Sequence, residues 1–154
     1  MKSIPAFAFA LGLVLLGLSV HAGAAPNCTL KLQANDAMQF DLKTATVSAS
    51  CATINIQLVH TGKLPVTAMG HNVVVSATAD VGALGMAGMK AGAGANYMPK
   101  GDARVIAATP MIGGGGKTAA KFAGSKLKAG GDYSFFCSFP GHSGIMKGKL
   151  VVTK

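Results

Sequence analysis

The sequence predicts an all-β sandwich of about eight short strands, with one short helical or irregular excursion. Three observations lead there. Runs rich in β-branched and aromatic residues recur roughly every ten residues, and Gly, Pro, Asn or Asp punctuates the gaps between them. Several runs alternate: in Ile54-Asn-Ile-Gln-Leu58 the apolar Ile54, Ile56 and Leu58 face one way and the two amides the other.

Before the first strand, Met1-Lys2 gives a positive start, Pro5 to Val20 is almost wholly apolar, and small residues follow through Ala25. This pattern predicts a secretory signal peptide over residues 1–24, cleaved near Ala22 or Ala24. The apolar run is shorter than the ~20 residues of a membrane span, and no Cys lies near the cleavage region for a lipid anchor. Residues 25–154 then form a single domain, long enough for one core. Its expected strands are Thr29–Gln33, Gln39–Val47, Thr53–His60, Asn72–Thr78, Arg104–Thr109, Lys117–Phe122, Asp132–Cys137 and Gly148–Thr153. Gly113 to Gly116 reads as a turn, because a strand-like run follows it rather than the helix of a phosphate loop. Residues 81–98 are the excursion: Ala and Met favour helix, while five glycines oppose it at about 1 kcal/mol each relative to Ala.

Charge narrows the partners. The acids are Asp36, Asp41, Asp80, Asp102 and Asp132, with no Glu, and thirteen basic side chains remain once Lys2 is set aside. That excess favours acidic partners. It does not signify nucleic-acid binding, since the lysines are scattered and no DNA- or RNA-reading motif is present.

Of the three cysteines, Cys28 and Cys51 lie near the ends of two early strands, away from Cys137. An oxidising compartment permits their pairing, and closing that loop is worth roughly 3.5 kcal/mol in the chain-entropy treatment. Cys137 is left over, a thiol that such a compartment would oxidise unless something holds it.

Cys137 opens CSFPGHSGIM, which places a thiol, an imidazole (His142) and a thioether (Met146) in one turn-rich loop. The bland reading is a hairpin whose Cys and Met pack inward while the His is solvated. Against it stands His71, just ahead of the run Val73 to Val75. Thiolate, two imidazoles and a weak thioether are the ligand set of an electron-transfer copper site, with Cys and two His in a plane and Met at long axial distance. An oxidase or nitrite reductase module would need a second copper with further histidines, and only His60 remains after the leader's His21 is set aside. Zinc suits Cys and His but gains little from Met. The Met residues of 81–98 (Met86, Met89, Met98) leave copper storage or delivery as the alternative function, although without a regular repeat they read as core or surface methionines.

The C-x4-H-x3-M spacing of Cys137, His142 and Met146 resembles the azurins, which are bacterial cupredoxins. Asn35-Asp-Ala-Met-Gln-Phe40, Leu64-Pro65, Met69-Gly-His-Asn72, Arg104-Val-Ile-Ala107 and Phe135 to His142 carry the resemblance over nearly the whole mature chain. It implies a Greek-key cupredoxin sandwich and a monomeric periplasmic one-electron carrier, not an enzyme, holding one copper per chain. It further implies that His71, Cys137 and His142 are the strong ligands, Met146 the axial thioether, and the Gly70 carbonyl a weak fifth contact. Asn72 would tie the ligand segments together, and the Phe139 N–H would donate to the Cys137 sulfur. Leu64, Ala68, Met69, Phe139, Pro140 and Gly141 would form an apolar patch for redox partners such as c-type cytochromes or periplasmic reductases. The Cys28–Cys51 pairing falls where azurins place their disulfide, and His60 where they keep a histidine near the copper but not on it. Two departures stand out: Val73 and the absence of any Trp where many azurins bury one, and the Gly/Ala-rich 81–98 segment.

Overall fold

Alternation in the sequence becomes a buried face. Along Thr29–Asn35 (β1), Leu30, Leu32 and Ala34 are buried while Lys31 and Gln33 are exposed, and along Ile54–His60 (β4) Ile54, Ile56, Leu58 and His60 point inward. The computed structural model describes residues 25–154, so the expected signal peptide lies outside the described residues. The remaining strands are Gln39–Phe40 (β2), Thr44–Ser48 (β3), Val74–Ala77 (β5), Ala107–Ala108 (β6), Lys117–Phe122 (β7), Tyr133–Phe136 (β8) and Lys147–Thr153 (β9). Two helices, Val66–Met69 (α1) and Val81–Ala91 (α2), interrupt them.

The strands form two sheets in the orders β2-β1-β4-β7 and β3-β9-β8-β5-β6. Two pairs are parallel: β1 with β4, from Thr29 opposite Asn55 to Ala34 opposite His60, and β3 with β9. The sheets face each other across one core that holds Leu30, Leu32, Ile54, Ile56, Leu58, Val75, Phe135 and Leu150. Phe40 meets Phe135 edge-to-face with ring centroids 5.6 Å apart. A buried side chain of this size contributes roughly 1.5–3 kcal/mol through area removed from water.

Among the described residues the strands number nine, because the expected run Gln39–Val47 divides between the sheets. Asp41 marks the break. Its carboxylate accepts the Gln33 N–H at 2.7 Å and its own N–H donates to the Gln33 carbonyl at 3.0 Å, holding the chain to β1 before it crosses to pair with β9. The expected Arg104–Thr109 strand shortens to the two residues of β6.

Residues 81–98 fold as the eleven-residue α2 followed by a 3-10 turn at Ala93–Ala95. Val81 and Leu84 of α2 pack on Val74 and Phe136, the outward-facing neighbours of Val75 and Phe135. The helix thus covers the outer face of the second sheet, which explains why Val73 to Val75 is an unbroken apolar run: a strand buried on both faces has no polar side. At the far end, the Cys28–Cys51 disulfide ties the approach to β1 to the approach to β4, with Cα atoms 5.7 Å apart.

Candidate metal centre

Three segments converge at one end of the sandwich: the residues ahead of β5, the end of β8, and the loop from β8 to β9. His71 is pinned by a two-way bridge to Ile112, each N–H donating to the other's carbonyl at 2.9 Å. Its Nε2 lies 2.9 Å from the Asn35 carbonyl at the end of β1. A carbonyl only accepts, so Nε2 carries the proton and the Nδ1 lone pair is free to face inward. Cys137 follows β8 directly, and its N–H donates to the Met146 carbonyl at 3.0 Å, closing the mouth of the loop. Inside that closure the His142 N–H donates to the Phe139 carbonyl (2.9 Å), and the Met146 N–H to the His142 carbonyl (2.7 Å).

The result is a tight buried cluster. Cys137 Sγ lies 3.7 Å from His71 Nδ1, 3.6 Å from His142 Nδ1 and 3.7 Å from the Gly70 carbonyl oxygen. The sulfur and the two imidazole donors all fall within 4.8 Å of one another, and among the described residues this is the one such group of His, Cys or acidic side chains. A metal ion in a trigonal plane, about 2.0 Å from nitrogen and about 2.3 Å from sulfur, separates those donors by about 3.7 Å. The observed Sγ–Nδ1 spacing is the spacing such an ion requires. Met146 is fully buried in the same core cluster as Cys137. Gly70 has to be glycine here: a Cβ would stand 2.8 Å from the Phe139 ring and 2.6 Å from the Val66 carbonyl.

Burial sets the electrostatics. It pushes the Cys137 thiol up to about 11, against the pull of backbone N–H groups of Asn72 and Phe139 directed at the sulfur. Burial also takes His71 down to about 4, partly opposed by its bond to the Asn35 carbonyl, and it lowers His142. Both imidazoles are therefore neutral donors at neutral pH, and the thiol keeps its proton until a cation displaces it. The neutral imidazoles are ready to coordinate a soft metal, and the thiol releases its proton as the metal binds.

Around the donors, Asn72 Nδ2 donates to Ser138 Oγ at 2.8 Å and the Ser138 N–H donates to Asn72 Oδ1 at 2.9 Å. His60 is fully buried and stacks on His71 with centroids 4.4 Å apart. Its ring is satisfied without a metal: the Gly62 N–H donates to Nδ1 at 3.0 Å, so Nε2 is the protonated nitrogen that donates to the Met69 carbonyl at 2.9 Å. Of the expected patch, Leu64 and Ala68 are exposed, Met69 and Pro140 are half-buried, and Gly141 is exposed. Phe139 keeps only 9 % exposure, its ring held between Tyr97 and His142. Val66, at 42 % exposure, joins the apolar surface and was not singled out in the sequence. Asn35, Ser138 and Tyr97 were also missed as contributors. Asn35 acts through a carbonyl that every residue possesses, so no side-chain signal could have marked it.

Residues 26–153 match the family model of copper binding proteins of the plastocyanin/azurin family. The chain belongs to that family. It is 53 % identical over 123 residues to the azurin of Alcaligenes faecalis, spanning 80 % of this chain and 96 % of that one. It is 45 % identical over 139 residues to the azurin of Bordetella pertussis, spanning 90 % and 93 % respectively. Among solved structures, the azurin Az-iso2 of the obligate methylotroph Methylomonas sp. strain J superposes with a TM-score of 0.79 at 42 % identity, covering 82 % of this chain and 98 % of that one. The fold is accordingly the cupredoxin sandwich of the azurins. The cofactor is copper, for which His71, Cys137 and His142 form one mononuclear site.

Proposed function

We propose that the chain is a periplasmic one-electron carrier and not an enzyme. His71, Cys137 and His142 would hold the copper as its strong ligands, with the Met146 thioether and the Gly70 carbonyl as weak further contacts. Bound copper supplies the redox chemistry, a one-electron change between Cu(I) and Cu(II). The observation that carries this reading is the preformed donor triangle, with Sγ to Nδ1 distances of 3.6 and 3.7 Å. Donors already held by the Ile112 bridge, the Asn35 carbonyl and the Met146–Cys137 closure have little to rearrange when the charge at the centre changes. His142 keeps 3 % exposure at the rim of the patch, where an electron can pass to a partner seated on Leu64, Ala68, Met69, Pro140 and Gly141.

Residues 1–24 act as a signal peptide removed on export, leaving 25–154 as a monomeric domain. The basic excess suits acidic docking surfaces on redox partners such as c-type cytochromes or periplasmic reductases. No helix among the described residues is long and apolar enough to cross a membrane. The storage or delivery alternative has the exposed thioethers of Met86 and Met89 in its favour, but a donor set as buried as Cys137 and His71 retains metal rather than releasing it.

Copper titration of the mature chain, followed by visible absorption, tests the proposal. One equivalent should give an intense blue sulfur-to-copper charge-transfer band that bleaches on one-electron reduction and returns on oxidation. Copper binding without that band, or bleaching that releases the metal, would count against a carrier.

A further inference from the structure

Helix α2 carries three glycines in eleven residues, and they do not play the same part. Gly82 is exposed, and a Cβ there would meet nothing within 4 Å. Gly85 and Gly88 are buried, three residues apart and so on one face of the helix. That face is turned toward the metal loop. A Cβ at Gly85 would collide with the Ser143 hydroxyl and stand 2.9 Å from Ser143 Cβ, and Ser143 follows His142 in the chain. A Cβ at Gly88 would collide with the Tyr97 carbonyl and stand 3.7 Å from Ser138 Cβ. Ser138 follows Cys137 and holds Asn72. Tyr97 in turn meets Phe139 edge-on at 5.2 Å, and the Phe139 ring lies 4.7 Å from that of His142. Asn96 and Tyr97 both sit at φ +51°, a conformation that non-glycine residues rarely adopt and that persists only where the surroundings enforce it.

We propose that α2 is a positioning element for the copper ligands, acting through Gly85 on Ser143 and His142, and through Gly88 on Ser138–Cys137 and on the Tyr97–Phe139–His142 stack. The inference rests on the ligand set proposed above. The helix itself offers no side chain at Gly85 or Gly88, so its backbone lies directly against the Ser143 side chain and the Tyr97 carbonyl, and only Ser143 has a rotamer to absorb movement. The thiol of Cys137 and the imidazole of His142 are thereby held through their chain neighbours Ser138 and Ser143. A residue acting at such a remove sets geometry rather than affinity, and small displacements at a reacting centre are felt strongly.

The test uses the copper-loaded mature chain and four variants: Gly82→Ala, Gly85→Ala, Gly88→Ala and the pair Gly85→Ala/Ser143→Gly. Readouts are the charge-transfer band, the copper hyperfine splitting, the reduction potential and the electron self-exchange rate, with melting temperature measured alongside. Gly82→Ala should keep the wild-type spectrum. Gly85→Ala and Gly88→Ala should shift the band and the potential and slow self-exchange several-fold, and Ser143→Gly should restore the spectrum of Gly85→Ala by vacating the colliding atoms. Lower melting temperatures with wild-type spectra and exchange in both variants would reduce α2 to ordinary packing and overturn the proposal. So would failure of the Ser143→Gly rescue. Should Gly88→Ala not fold, the Gly85 pair decides alone. A wild-type protein without a blue band would instead defeat the ligand assignment, which separates the two failures.

Discussion

Asn72 and Ser138, 66 residues apart in sequence, exchange two hydrogen bonds of 2.8 and 2.9 Å in a fully buried setting. Each residue adjoins a ligand, Asn72 following His71 and Ser138 following Cys137, so the exchange fixes the distance between the two ligand segments. The backbone N–H of Asn72 also points at the Cys137 sulfur.

Asn72→Leu should therefore act on stability and on the site together. It leaves the Ser138 N–H and hydroxyl buried without their partner, which should cost roughly 2–4 kcal/mol. Urea unfolding of the copper-free protein measures this, and the copper-loaded variant should show a shifted charge-transfer band. Wild-type stability in the variant would mean that the pair is replaceable by water or by repacking.

What could be read in the sequence, and what could not, divides along a physical line. Leu30, Leu32, Ile54, Ile56 and Leu58 announce their strands because alternation is a property of the side chains themselves. The break at Asp41 is invisible there, since it depends on Gln33, eight residues away, and on which sheet the next strand joins. Helix α2 was blurred by Gly85 and Gly88, whose small size answers to Ser143 and Tyr97 rather than to helix propensity. In the site, thiol, imidazole and thioether were legible because their chemistry lies in residue type. The Asn35 carbonyl and the Asn72 N–H were not, because every residue offers such groups and only the fold aims them.

Cys137→Ser should abolish the blue colour. A hydroxyl is a hard donor that does not ionise in the same buried surroundings that already hold the thiol at about 11. The fold should survive, since the volume change is small and the Cys28–Cys51 disulfide is elsewhere. Absorption and far-ultraviolet dichroism on one sample check both statements, and a blue serine variant would remove Cys137 from the ligand set.

Met146→Leu should keep copper and colour while raising the reduction potential. Leucine fills a similar volume, so the buried site stays packed, but the proposed weak donor to Cu(II) is lost. Voltammetry of the variant against wild type gives the sign. A colourless protein or a lowered potential would speak against an axial role for this thioether.

The copper-free protein should lose stability as pH falls from about 6.5 to about 4. The folded chain holds His71 at about 4 against an ordinary 6.5, so in this window the unfolded state binds the extra proton. Stability then declines with falling pH, by on the order of 3 kcal/mol in all, and levels off for this group below about 4. His142, lowered by burial as well, adds in the same direction. The losses from Asp36 and Asp102, whose carboxyls are held below the usual range, come at lower pH. Urea midpoints at pH 7 and pH 4.5 measure the change, and equal midpoints would show that His71 is more solvated than its burial implies.

Met69→Lys addresses where the electron leaves. Met69 ends the exposed α1, and its carbonyl accepts the His60 Nε2–H, so its backbone is anchored while its half-buried side chain borders the apolar surface with Leu64 and Ala68. A flat uncharged surface lets a partner approach His142 without stripping water from ions, and weak redox encounters need only a small interface. A lysine there adds a desolvation cost for every partner and repulsion between two copies of an already basic chain. Electron self-exchange should become much slower, and the loss should be partly relieved by salt, which screens the repulsion. The blue spectrum should stay nearly unchanged, because Met69 supplies no donor atom to the sulfur-centred triangle. Line broadening in mixtures of the reduced and oxidised protein measures the rate directly. An unaltered rate would move the exit away from His142 to another face of the sandwich.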